Sequence, residues 1–79
     1  MMFNYDEVRV WFDPQKSVIG FMSPNDRCLD FFVSQNGIKV ELYEGEDLVE
    51  GGIMENREIS MEQVYTALTT MDLTSLLKK

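Results

Sequence analysis

Residues 27–43 read RCLDFFVSQNGIKVELY, two runs of alternating apolar and polar side chains joined by Asn36 and Gly37. Alternation with period two marks a strand with one buried face. Asn-Gly between two such runs is the strongest short-range signal for a β-hairpin, because both residues tolerate the positive φ of a type I′ turn. With Asn36 and Gly37 as the loop, Val33 faces Val40, Phe31 faces Leu42 and Gln35 faces Ile38. On the other side Phe32 faces Glu41, Asp30 faces Tyr43 and Ser34 faces Lys39, which makes Phe32 and Tyr43 diagonal neighbours. One face then holds Leu29, Phe31, Val33, Ile38, Val40 and Leu42 without a charge, and the other mixes Cys28, Asp30, Phe32, Ser34, Lys39, Glu41 and Tyr43. A slip by one residue would turn the apolar set to water, so this hairpin defines an inside and an outside for the chain.

The flanking segments keep the same period. Residues 5–12 put Val8, Val10 and Phe12 on one side and Glu7, Arg9 and Trp11 on the other. Asp13-Pro14 opens a turn, since Pro fixes φ at its second position, and residues 17–22 resume the alternation. A short turn over Pro14 and Gln15 sets Val10 beside Ile19, Val8 beside Phe21, and Trp11 against Val18 on the outer face. Parity decides the next connection: only an odd loop, or a bulge, brings Phe21 opposite Leu29 and Ile19 opposite Phe31. After the central strands, 28–35 and 38–43, residues 44–47 read as a loop and 48–54 as a fifth strand, whose paired glycines indicate a bulge or an edge.

At Ser60 the period becomes helical. Met61, Val64, Tyr65, Leu68 and Met71 share a stripe, Ser60 and Gln63 make a capping box, and Ile59 with Val64 fits a hydrophobic staple. Thr69 and Thr70 are poor helix formers, so the helix spans about 61–70. Asp72 can then cap a short turn at about 73–77, with Lys78 and Lys79 favourable at its C-terminus. The expected architecture is α+β, one domain over 1–79: an antiparallel meander sheet of four to five strands with one C-terminal helix packed across one face.

Composition narrows the chemistry. Histidine is absent and Cys28 is the single cysteine, which removes His-based catalytic dyads, structural zinc and an internal disulfide. No phosphate-cradling glycine motif occurs. Paired carboxylates can hydrolyse glycosides, but 79 residues leave little room for a cleft. The expectation is a non-enzyme with no cofactor and no metal site, Cys28 being a small half-buried residue rather than a nucleophile. No signal-peptide pattern or membrane-length apolar run is visible, so the expected compartment is the cytoplasm.

The net charge of −7 is unevenly placed: −1 over residues 1–40, −7 over 41–62 and +1 over 63–79. Such a chain is repelled by nucleic acid and by anionic membranes, so its favoured partner is a basic protein. Glu41, Glu44, Glu46, Asp47, Glu50, Glu55 and Glu58 form the candidate acidic binding surface, and Trp11, Phe32 and Tyr43 on the outer face form a candidate aromatic one. By size and charge alone, this is the profile of inhibitors carried by phages and mobile elements against host defence, of the anti-restriction or anti-CRISPR type. They occlude a nucleic-acid-handling protein by standing in for phosphates. Two alternatives share the physics: an immunity protein or antitoxin neutralising a cognate toxin, and a subunit or homodimer module of a larger assembly.

Overall fold

The computed structural model describes residues 4–77. A 3-10 turn at Tyr5–Glu7 precedes five strands, β1 Arg9–Asp13, β2 Val18–Met22, β3 Arg27–Ser34, β4 Gly37–Glu44 and β5 Asp47–Met54, and two helices, α1 Met61–Thr70 and α2 Thr74–Leu77. The strands form one antiparallel sheet in sequential order, β1 to β5, under a C-terminal helical layer. This is the α+β meander that the alternation predicts. The first strand is shorter than the expected 5–12, because Glu7 turns back: its N–H donates to Asn4 O at 3.0 Å and its carboxylate accepts from Asn4 N–H at 2.8 Å. Lys78 and Lys79, expected to close the last helix, lie outside the described residues.

Parity gives the β2–β3 register correctly: Phe21 pairs with Leu29 and Ile19 with Phe31. The two neighbouring hairpins differ from expectation by a shift of two residues each. Between β3 and β4 the pairs are Val33 with Ile38, Phe31 with Val40 and Leu29 with Leu42. The loop is therefore Gln35-Asn36, and neither residue has a positive φ. Ser34 is the cause. Its hydroxyl donates to Gly37 O at 3.1 Å and accepts from Asn36 N–H at 3.2 Å, while Asn56 Nδ2 donates to Ser34 O at 3.1 Å. These side-chain bonds compete with the I′ geometry and close the turn one position earlier.

Between β1 and β2, Val10 pairs with Phe21, Trp11 with Gly20 and Phe12 with Ile19, in place of Val10 with Ile19, Val8 with Phe21 and Trp11 with Val18. Here Asp13 Oδ1 accepts from Gln15 N–H at 3.0 Å and Lys16 N–H at 3.4 Å, and Ser17 takes a left-handed φ of 52°. The loop becomes four residues long. A shift of two keeps every side chain on its own face, so inside and outside are as expected. The β4–β5 ladder carries the irregularity: Leu42 pairs with Glu50 and Tyr43 with Leu48, leaving Val49 unmatched.

The capping box forms as read, with Gln63 N–H donating to Ser60 Oγ at 3.2 Å and Ser60 N–H to Gln63 Oε1 at 3.1 Å. Asp72 Oδ1 accepts from Thr74 N–H at 3.0 Å and starts α2. Helix α1 lies over β3 and α2 over β5. Val64, Ala67 and Leu68 from α1, with Leu73 and Leu76, bury Leu29, Phe31, Ile38, Val40, Leu42 and Met54 from the sheet. The rings of Phe21 and Phe31 meet edge to face, 5.8 Å between centroids. At Gly52 a Cβ would come within 2.6 Å of Leu77 Cδ1, so the glycine lets α2 close on the edge strand.

The helical layer stops short of β1. Val10 and Phe12, expected inside, are 60% and 62% exposed. Among the described residues, no helix is long and apolar enough to cross a membrane.

Candidate functional site

The acidic residues of 41–62 do not make one surface. Glu44, Glu46 and Asp47 share the β4–β5 turn, with Glu44 paired to Asp47. Gly45 N–H donates to Asp26 O at 2.7 Å, which ties this turn to the β2–β3 turn. Asp26, held at a left-handed φ of 62°, thereby joins the other three at one end of the sheet. Arg27 sits among them. Its Nε lies 3.5 Å from Glu44 Oε2, and its Nη1 donates to Leu68 O and Thr69 O at 2.9 and 3.2 Å. The guanidinium thus closes the C-terminal end of α1, where carbonyls and the helix dipole favour a cation.

The other four predicted carboxylates go elsewhere. Glu41 is half-buried on the outer face, where it accepts from Tyr43 OH at 2.9 Å and lies 3.5 Å from Lys39 Nζ. Glu50 belongs to the inner face, opposite Leu42, and its Oε1 accepts from Leu73 N–H at 3.1 Å. It is a structural acceptor for the α1–α2 junction. Glu55 and Glu58 are exposed on the connection to α1. That connection follows the far end of β5, a strand length of roughly 23 Å from the acidic turn. Alternation separates Glu41 from Glu50, and chain reversal separates Glu44 from Glu55. Asp26 was missed because sequence marks it only as a turn residue; its neighbours come from a hydrogen bond between two distant turns.

The aromatic side chains are also separated. The two-residue shift pairs Phe32 with Lys39 and Tyr43 with Cys28, so Phe32 and Tyr43 stand at opposite ends of the outer face and do not touch as expected. Lys39 Nζ sits 5.4 Å from the Phe32 ring centroid. Trp11 lies over Gly20. All three rings are half-buried. Val18, paired with Phe32, is 1% exposed although it belongs to the outer face and stands apart from the main core.

Along this face Cys28 Sγ donates to Asp30 Oδ1 at 2.9 Å, and Asp30 is paired with Glu41. Burial, then the bond to Asp30, pushes the Cys28 thiol up to about 12. Burial first and the Glu41 charge next also raise the Asp30 carboxyl, against the opposing pull of the Cys28 bond. The bond to Glu41 raises the Tyr43 phenol. A thiol held neutral in this way is a poor nucleophile. Among the described residues, no three metal-ligating side chains are gathered as a metal site.

Sequence reading also missed the uncovered part of the inner face. Ile19, Phe21 and Val33 form the floor, and Ile59, Met61 and Arg57 the wall, of an apolar groove of about 440 Å³ beside the start of α1. Comparison with protein-family models, with curated proteins and with solved structures gives no match.

Proposed function

We propose that this protein is a non-enzymatic inhibitor that docks its acidic end on a basic, nucleic-acid-handling protein and occupies a groove that otherwise holds phosphates. Partners of this chemistry include restriction and CRISPR-type defence proteins. The observation that supports the reading is the convergence of Asp26, Glu44, Glu46 and Asp47 on two turns joined by the Gly45–Asp26 hydrogen bond. Carboxylates on two turns tied by a backbone hydrogen bond gather negative charge at one end, and the net charge of −7 steers such an end toward a positive groove. The aromatic rings contribute less to docking, because Trp11, Phe32 and Tyr43 are engaged within the molecule.

The test is capture of partners from host extract by the wild type and by a variant carrying Asp26→Asn, Glu44→Gln, Glu46→Gln and Asp47→Asn. Asn tolerates the left-handed backbone at position 26, so the turn is kept. The expected result is a basic partner held at low salt, released at high salt and absent from the variant. Equal capture by the variant at every salt concentration removes the acidic end as the binding surface.

A further inference from the structure

Strand β1 is an edge of the sheet, and among the described residues no further strand pairs with its outward side. Its five residues, RVWFD, carry one base at the start and one acid at the end. Neither charge is met across the ladder: Arg9 is paired with Met22 and Asp13 with Val18. Within the strand the two are four residues apart, roughly 13 Å, too far to pair with each other. The ion pairs among the described residues are Arg27–Glu44 and Lys39–Glu41, and Arg9 enters neither. Between the two charges stand Val10 and Phe12 on the inner face, among the most exposed large apolar side chains.

We infer that β1 pairs with β1 of a second copy of this chain, antiparallel about a two-fold axis through Trp11, joining two sheets into one of ten strands. In that register Arg9 lies opposite Asp13 of the second copy, and Asp13 opposite its Arg9. Val10 lies opposite Phe12 twice. Directly opposite residues of an antiparallel pair point to the same side. The two ion pairs therefore form on the outer face and the two apolar pairs on the inner face, beside the uncovered groove. Asp13 has an oxygen to give, since Oδ1 alone accepts from its own turn. The other edge strand does not offer this. β5, DLVEGGIM, holds two acids and no base, so no register between copies of it pairs opposite charges.

The acidic ends also agree with the pairing. The turn carrying Asp26 follows Met22, the residue beside Arg9, so the acids lie at the Arg9 end of β1. An antiparallel two-fold carries the second acidic end to the opposite side of the assembly, which holds the like charges apart. Five residues a side make a small interface, so the dimer forms reversibly and depends on concentration. It uses a surface separate from the acidic end and does not rest on the proposed inhibitory role.

The experiment is sedimentation equilibrium of the full chain, from micromolar to millimolar concentration, on the wild type, Arg9→Asp, Asp13→Arg and an equimolar mixture of the two variants. In Arg9→Asp two acids face two acids, and in Asp13→Arg two bases face two bases; each variant alone self-associates at least about tenfold more weakly than the wild type. In the mixture every opposed pair is again an acid and a base, so a heterodimer appears. Asp13→Asn keeps the turn acceptor and serves as a folded control with the charge removed. Amide exchange on the wild type gives a second measurement: protection of residues 9–13 rises with concentration. A wild type that stays monomeric throughout overturns the inference. So do variants that dimerise as it does, or a mixture no different from its parts.

Discussion

The indole of Trp11 packs against Gly20, its partner across the β1–β2 ladder, so closely that a Cβ at position 20 would run into Nε1, Cε2 and Cζ2 of the ring. The glycine supplies the space that a large ring takes up on the outer face. Gly20→Ala is expected to lift the ring off the sheet, at a cost of about 1–3 kcal/mol, typical of overpacking a close contact. Tryptophan fluorescence reads it directly, since Trp11 is the single tryptophan. The emission of the variant should shift to the red, with a lower urea midpoint. An unchanged spectrum would mean that the ring does not rest on Gly20.

Glu50 is expected to matter for stability rather than for binding. Its carboxylate accepts the Leu73 N–H at 3.1 Å where α1 hands over to α2, and Leu73 itself is fully buried. Removing the acceptor leaves a donor unsatisfied at a partly buried position, which costs about 1–3 kcal/mol. Glu50→Ala should therefore lose stability in urea unfolding, while Glu50→Gln, which keeps an oxygen there, loses less. Equal losses in the two variants would remove the hydrogen bond as the cause.

Much of the fold was legible because one period governs it. Alternation placed Leu29, Phe31, Val40 and Leu42 inside, parity set Ile19 against Phe31, and the Ser60–Gln63 box located the start of α1. Loop lengths were not legible, because they turn on single side chains bonding to backbone. The Ser34 hydroxyl and the Asp13 carboxylate each moved a hairpin by two residues, a change to which parity is blind. The acidic surface was misjudged for a related reason. Closeness along residues 41–62 is not closeness in space when strands alternate faces and reverse direction. Glu41, Glu50 and Glu58 consequently part company, and Asp26 arrives from another turn. The helical layer follows β3 and β5, so Val10 and Phe12 stayed open although their spacing is that of a core strand.

Cys28 should behave as a protected thiol. Burial and the Asp30 bond raise it from 9.0 to about 12, so the folded chain at neutral pH holds almost no thiolate. Alkylation at neutral pH is expected to be slow in buffer and fast in denaturant. The raised value also means that the fold favours the neutral thiol. Its contribution is complete below pH 9.0 and is lost as pH rises from there toward about 12. Thiol labelling as fast in buffer as in denaturant would show that Cys28 is not shielded.

Asp30 carries the opposite consequence at the acid end of the scale. Its carboxyl is raised above 3.8, first by burial and further by the charge of Glu41 across the ladder, while the Cys28 bond offsets part of this. The folded chain therefore holds the proton to higher pH than the unfolded chain does. Stability falls as pH climbs from 3.8 through the raised folded value, and above that window ionised Asp30 weakens the sheet. Asp30→Asn removes the charge and keeps an oxygen for the Cys28 thiol. The variant should be more stable than wild type at neutral pH. Below pH 3.8 Asp30 is neutral in both the folded and the unfolded chain, so the gap closes. Every other carboxylate is common to the two proteins, so the difference between their urea midpoints isolates this one. A gap that is constant across the range, or an Asn variant less stable at neutral pH, would show that ionised Asp30, buried beside Glu41, does not weaken the sheet.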